Sequence, residues 1–326
     1  MRAVCVRSPG GPEVLEVRES PEPTLGEGEL LIRVEASALN RADLLQRRGL
    51  YAPPPGATEI LGLECAGTVI DTGPGADATW LGRRVMALLP GGGYAERVAI
   101  PERMAVEVPQ QMDFTHAAAI PEAFMTANEA LFERARLEPG ESVLVHAAAG
   151  GVGSAVVQLA LVEGAHVVGT AGGSDKQRFV EALGAECLDY RKQDFSLQLQ
   201  SAAPSRRFDV IVDFIGSRYW NAHAELLAPG GRLVVLGLLG GTEPARIDFA
   251  QLLRRQQSVL GMVMRSRSPA EKIALTRRFV RRVLPLLEAG TVKPLVHAVF
   301  ELERVQAAHT MMEANENLGK IVLRIC

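Results

Sequence analysis

Two stretches of this sequence carry residue types at spacings that do chemistry. The first runs Val143-Leu144-Val145-His146 into Ala147-Ala148-Ala149-Gly150-Gly151-Val152-Gly153-Ser154. A β-branched run, a small glycine-rich turn and then helical spacing let a backbone approach a pyrophosphate, with free N–H groups and the positive end of a helix facing it. A glycine turn alone often only reverses the chain, and the first glycine of a strict G-x-G-x-x-G is alanine here. The strand before, the helix after and a second strand at 166–170 make it a nucleotide signal. The second stretch is the end of that next strand, Gly169-Thr170-Ala171-Gly172-Gly173-Ser174-Asp175-Lys176. No acid stands at its tip to hold a ribose 2′-hydroxyl, and Lys176 offers a counter-charge for a 2′-phosphate, so NADPH is the expected dinucleotide. Asp175, after an expected cap at Ser174, suits the first turn of a helix and needs no ligand.

Metal chemistry is not expected. Cys5, Cys65, Cys187 and Cys326 have no C-x-x-C spacing, and the six histidines, His116, His146, His166, His223, His297 and His309, are dispersed with no ligand pair. Scattered thiols imply a reducing compartment. The early Arg7 argues against a signal peptide, and no apolar run approaches the ~20 residues that span a bilayer. A soluble, cytoplasmic protein is expected. A net charge of -3 gives no general pull towards nucleic acid or anionic membrane, and Arg277, Arg278, Arg281 and Arg282 fall on one solvated helix face.

At 326 residues, with 47% hydrophobic and 22% charged side chains, two domains are expected. Up to about 108 the pattern is β-rich, with strands at 30–36, 66–70, 84–88 and 94–100 separated by proline and glycine clusters and one helix at 41–47. This suggests a partly closed antiparallel barrel. From about 114 the style changes to a long helical stretch at 115–134, then strands at 142–146, 166–170, 208–214 and 232–236 alternating with helices at 154–163 and 174–183. Such alternation is the sequence form of a doubly wound parallel sheet, making the fold class α/β. Beyond 269 come a long helix ending near 290, a strand at 297–300, a helix at 302–314 and a closing strand at 320–324. The flanking parts are expected to form one discontinuous domain, with cofactor and substrate in a cleft beside the inserted one.

The segments Ser37-Ala38-Leu39-Asn40-Arg41-Ala42-Asp43, Gly49-Leu50-Tyr51-Ala52-Pro53-Pro54-Pro55-Gly56, Leu61-Gly62-Leu63-Glu64, Ala87-Leu88-Leu89-Pro90-Gly91-Gly92-Gly93, Ala119-Ile120-Pro121-Glu122-Ala123 and Met312-Glu313-Ala314-Asn315 closely resemble the zinc-independent quinone oxidoreductases of the medium-chain dehydrogenase/reductase superfamily. The resemblance runs nearly end to end and is strongest to the p53-inducible type and its bacterial relatives. It implies a discontinuous GroES-like β-barrel catalytic domain at 1–119 and 265–326, a Rossmann NADPH-binding domain at 120–264, and a homodimer. Carried over by position, Asn40 and Tyr51 line the nicotinamide side and Thr126 lies near the nicotinamide or ribose. Gly151 and Val152 lie under the pyrophosphate, and Gly172, Lys176 and Tyr190 hold the 2′-phosphate region. Leu238 and Met264 flank the cofactor, and Lys320 stands at the C-terminal edge. The related proteins have serine where this chain has Gly150, so a hydroxyl contact to phosphate is missing. Zinc-dependent members have ligands where this chain has Asn40 and Leu63, which implies chemistry without a metal.

The expected reaction is hydride transfer from NADPH to a quinone or similar electron-poor acceptor. Asn40 would donate to the developing oxyanion. Tyr51 either supplies the proton or only packs on the nicotinamide. A 2-alkenal or enoyl thioester reductase of the same fold, or a non-catalytic NADPH-binding protein, are the alternatives. The run at 258–263 reads as the last strand of the nucleotide sheet, whose edge would pair with that of a second copy.

Overall fold

The structure, a computed structural model, describes residues 1–202 and 205–325, so Cys326 lies outside the described residues. Contacts group the chain into two compact units, Met1–Met125 with Met264–Cys326, and Thr126–Val263. The divisions differ by a few residues from those expected from the sequence because the helix Pro121–Asn128 runs through the first of them.

The discontinuous unit is built on a curved, mainly antiparallel sheet. Its strands follow the order Val296–Glu301, Lys320–Arg324, Glu29–Ala38, Glu64–Thr72, Arg84–Leu88 and Val106–Glu107, and Arg97–Pro101 also pairs with Glu29–Ala38. Register slips between Leu31 and Ile32 and between Val34 and Ala36 bend the long strand Glu29–Ala38 enough to serve neighbours on two sides. The Arg2–Val6 and Leu15–Glu19 hairpin joins through the Ala3–Ala95 bridge. Leu30, Ile32, Val34, Leu61, Tyr94 and Ile321 fill the core at 0% exposure.

The continuous unit is a six-stranded parallel sheet in the order Glu186–Asp189, His166–Ala171, Ser142–Val145, Phe208–Asp213, Leu227–Val235, Ser258–Gly261. Val143, Leu144 and Val145 are wholly buried, as are Val210, Ile211 and Val212. That double-sided burial explains why these strands read as unbroken apolar runs.

Two long helices expected from the sequence are broken. The 115–134 stretch divides into Phe114–Ala117, Pro121–Asn128 and a wider π turn at Glu129–Arg134. Pro121 cannot continue a helix and instead starts one. The 269–290 stretch splits at Val283, with Pro285 opening Leu284–Glu288.

Candidate functional site

In the discontinuous unit, a buried polar network surrounds Glu64. Gly62 has φ +100°, and a Cβ there would come within 2.6 Å of the Tyr94 nitrogen, so only glycine lets the 91–94 loop lie against it. The strand that follows begins with Glu64, fully buried. Its Oε1 accepts from Lys320 Nζ at 2.6 Å and Asn40 Nδ2 at 2.8 Å, and its Oε2 from the Glu122 backbone N–H at 2.8 Å. Lys320 gives its remaining hydrogens to Asn40 Oδ1 at 2.7 Å and the Leu39 carbonyl at 2.8 Å. Asp43 accepts from the Asn40 and Gly62 backbone N–H groups at 2.8 and 3.0 Å and from the Tyr94 hydroxyl at 3.2 Å. Burial nonetheless lifts its carboxyl to about 6.

This network engages both Asn40 and Lys320. Asn40 spends its second amide hydrogen on the Ala38 carbonyl at 3.2 Å, so it has none left for an oxyanion. Lys320 likewise has all three donors engaged and pins Asn40 to Glu64. Zinc is poorly served by what stands here. Leu63 is apolar and buried, Glu64 is already neutralised, and burial drives the Cys65 thiol far above its ordinary range.

Tyr51 lies partly buried with the Arg265 guanidinium 5.3 Å from its ring centroid, and burial raises its phenol further, so the hydroxyl stays protonated. Arg265 is tied to the Pro90 carbonyl at 2.8 Å and Gln46 Oε1 at 2.7 Å, and its own carbonyl accepts from Lys272 Nζ at 2.7 Å. Met264, just before it, is buried. Sequence reasoning missed Arg265, Lys272 and Glu122. Glu122 follows a proline at a helix start and reads as an ordinary first-turn acid. Burial and the nearby Glu64 carboxylate raise it to about 8.

In the continuous unit, Gly150 precedes the helix Gly151–Val162 in extended backbone, leaving the Gly151, Val152 and Gly153 N–H groups at a helix start. Ala147, which opens the turn, is held in the conformation that favours glycine, with φ +47°. Its carbonyl accepts from Gly150 N–H at 2.9 Å and would lie 2.3 Å from a Cβ at Gly153. The turn is therefore a cradle that side chains would fill, and it fits a pyrophosphate. Thr126, also buried, has an Oγ1 without a hydrogen-bond partner, as do both amide atoms of Asn128, which sequence reasoning missed. Buried orphans of this kind fit a bound polar group.

At the tip of His166–Ala171, the cap of the next helix is Gly173 with φ +99°, not Ser174. A Cβ on Gly172 would come within 2.6 Å of the Tyr190 hydroxyl and 3.1 Å of Arg191 Nε, so the tyrosine and a guanidinium lie directly over it. The nearby carboxylates are turned away. Asp189 accepts from the Gly173 and Arg191 backbone N–H groups at 2.8 and 3.0 Å, and Asp175 pairs with Arg178 at 2.5 Å. Arg191 is a further residue the sequence reading passed over. Leu238, with its side chain packed on Gly216, is 54% exposed.

The histidines are not all dispersed in space. Adjacent parallel strands bring His146 and Asp213 to neighbouring tips, and the helix Trp220–Leu226 delivers His223. His146 Nε2 and His223 Nε2 are 2.9 Å apart, and Asp213 Oδ1 lies 3.9 Å from His223 Nε2. All three are buried, and burial lowers His223 to about 3 and His146 well below its ordinary value. The two rings are therefore neutral, one donating and one accepting. Asp213 keeps its oxygens on the Ile215 and Gly216 N–H groups at 2.8 Å.

Among the described residues, no helix is long and apolar enough to cross a membrane. Two family descriptions match the chain: "Alcohol dehydrogenase GroES-like domain" over residues 26–110 and "Zinc-binding dehydrogenase" over residues 151–280. The chain is 33% identical to the human synaptic vesicle membrane protein VAT-1 homolog, covering 99% of this chain and 86% of that protein. It is 31% identical to the quinone oxidoreductase of Rattus norvegicus, covering 99% and 97%. Among solved structures, the quinone oxidoreductase of Thermus thermophilus, determined also with NADPH, superposes with TM-score 0.83 at 34% identity over 100% of both chains. The CurK enoyl reductase superposes with TM-score 0.86 at 28% identity over 100% and 99%. With a GroES-like barrel unit, a Rossmann sheet built for a nicotinamide dinucleotide, and these full-length likenesses, the chain is an oxidoreductase of the quinone oxidoreductase family in the medium-chain dehydrogenase/reductase superfamily.

Proposed function

We propose that the chain reduces quinones and similar electron-poor acceptors with NADPH, without a metal, and that it is of the p53-inducible type. The observation that carries the cofactor choice is the tip of strand His166–Ala171, where Arg191 and Tyr190 cover Gly172 while Asp189 and Asp175 are held elsewhere. A 2′-phosphate there meets a guanidinium and Lys176 and no free carboxylate. Bound NADPH would supply a hydride. The chain's own groups do the rest. Gly151, Val152 and Gly153 N–H groups hold the pyrophosphate, Thr126 Oγ1 takes a nicotinamide or ribose partner, and Leu238 and Met264 offer apolar cover. Tyr51 presents a neutral hydroxyl to an acceptor.

Metal independence is supported by the donor set, since Leu63, Cys65 and the ion-paired Glu64 leave no three-ligand site around Asn40. An acceptor that takes hydride without Lewis-acid help follows from this, and the rat and Thermus thermophilus quinone oxidoreductases are relatives named for that chemistry. The 2-alkenal or enoyl thioester alternative is favoured by the likeness to the CurK enoyl reductase. The deciding experiment follows NADPH and NADH oxidation against a quinone, a 2-alkenal and an enoyl thioester. Turnover of the alkenal or thioester but not the quinone would transfer the assignment, and zero turnover with tight NADPH binding would leave a non-catalytic role.

We also propose a homodimer formed by pairing the open edge of Ser258–Gly261, where Val259 is 43% exposed, and residence in the cytoplasm. Sedimentation showing only monomer at micromolar concentration would remove the dimer.

A further inference from the structure

Asn40, the group first expected to manage charge at the acceptor, is spoken for, and so is the lysine beside it. Asn40 has both amide hydrogens engaged, and Lys320 all three of its own. Around Tyr51 one acidic side chain is differently placed. Glu122 binds the network only through its backbone N–H, which Glu64 Oε2 accepts at 2.8 Å. Its carboxyl makes no hydrogen bond or ion pair with a described residue, although it lies among Glu64, Asp43, Lys320 and Lys272, and its charge is felt at Tyr51 and Arg265. It is also partly accessible, whereas Glu64, Asp43, Lys320 and Lys272 are buried.

We infer that Glu122, as a neutral carboxylic acid, is the proton donor to the oxygen of the acceptor. The role rests on the reductase reading above, because it presupposes a hydride donor of the nicotinamide class. Hydride adds two electrons and a hydrogen to the acceptor, and negative charge develops on its oxygen. The Glu122 O–H bond breaks as a new O–H bond forms on that oxygen, leaving a Glu122 carboxylate. Lys272 and Lys320 soften the charge, and solvent returns the proton at the accessible edge.

The surroundings keep the acid loaded. Removal from water is the largest effect on Glu122, the fixed negative charge of Glu64 is next, and the two ammonium groups oppose them without cancelling them. The carboxyl is held at about 8 and is mostly protonated at neutral pH. Glu64 is ion-paired with Lys320 at 2.6 Å. Two neighbouring acidic residues thus divide the work, Glu64 held in an ion pair and Glu122 a proton carrier. Tyr51 is the rival donor, but its hydroxyl, raised by burial, is the weaker acid.

The test uses the full chain and the acceptor the wild type reduces best. Glu122→Gln keeps the backbone bond to Glu64 and a hydrogen-bonding side chain but cannot release a proton. Its kcat should fall about 100-fold or more, with NADPH affinity unchanged. The wild-type kcat should decline above a pH of about 8, and that limb should be missing from Glu122→Gln. Glu122→Asp should recover part of the rate and restore the limb. Independently of turnover, infrared difference spectra of the wild type should show a protonated-carboxyl band that titrates over the same range and is absent from Glu122→Gln. Wild-type rates and an unchanged alkaline limb in Glu122→Gln, or no such band in the wild type, overturn the assignment while leaving the reductase intact. A wild type that reduces no acceptor removes the reductase reading itself and the proton donor with it.

Discussion

Replacing Lys320 by methionine is the sharpest test of how the barrel unit is held together. The ammonium is 5% exposed and donates to Glu64, Asn40 and Leu39 at 2.6, 2.7 and 2.8 Å, while Glu64 is 0% exposed. Methionine fills much of the same volume, so the loss is mainly electrical. Stranding one member of a buried ion pair costs about 3–5 kcal/mol. Glu64 would keep two donors, Asn40 Nδ2 and the Glu122 N–H, which places the expected loss near the lower end, about 3 kcal/mol. Urea or thermal unfolding should be read with separate probes for the two units, since each has its own core and a single transition is not assured. Lys320→Met should lower the barrel transition and spare that of the nucleotide unit. Adding Glu64→Gln should recover at least ~1 kcal/mol, because the stranded charge is gone. The alkaline limb attributed to Glu122 should move up in Lys320→Met and down in Glu64→Gln, since Lys320 lowers and Glu64 raises that carboxyl. A cost under about 1 kcal/mol for Lys320→Met, or a double variant worse than the sum of its parts, would refute the reasoning.

Other outcomes follow from the nucleotide unit and from the buried histidines. Gly153→Ala, whose Cβ would sit 2.3 Å from the Ala147 carbonyl, should weaken NADPH binding at least ~10-fold by fluorescence titration. Ala147→Gly relieves a φ of +47° and should stabilise the unit by about 1 kcal/mol, measured by urea unfolding. Arg191→Ala should raise the KM for NADPH ~10-fold or more while leaving NADH nearly unchanged; equal effects on both would show that Arg191 does not touch the 2′ position. His223 and His309 are held near about 3 against an ordinary 6.5. Because the folded values are depressed, the stability they contribute is complete above about pH 6.5 and is lost as pH falls towards about 3. At pH 4 the loss should be roughly 3 kcal/mol for each. Urea midpoints that hardly change between pH 7 and pH 4 would contradict this.

The sequence showed most clearly what is local. The glycine turn, the strand before it and the acid-free tip after it lie within about 35 residues, and each has its own signature. Val143-Leu144-Val145 and Val210-Ile211-Val212 were legible because a parallel sheet buries both faces. The hairpin Arg2–Val6 with Leu15–Glu19 was not, because its strands are only five residues each and the first is an apolar run without alternation. The candidate site was less legible where it depends on register between distant segments. Glu64 meets Lys320 across 256 positions, and His146 meets His223 across 77. Neither pair has a motif. Asn40 was visible as a polar group near the right place, but only the geometry shows that its hydrogens are already spent. Glu122 is a common residue in a common position, and what sets it apart is the field around it.

The pin between Glu64 and Lys320 also bears on how the chain assembles as it is made. The strand Lys320–Arg324 pairs with Glu29–Ala38, so an early barrel strand gains that neighbour only when nearly the whole polypeptide exists. Until then Glu64 has no cation, and the long-range pairing that completes the sheet is delayed. The Thr126–Val263 unit is continuous and can close as soon as it emerges. Synthesis therefore runs against the usual first-in, first-folded order, with the middle maturing before the beginning. A ribosome stalled before residue 320 would carry a finished nucleotide sheet and an open barrel, whose apolar strands are left to chaperones.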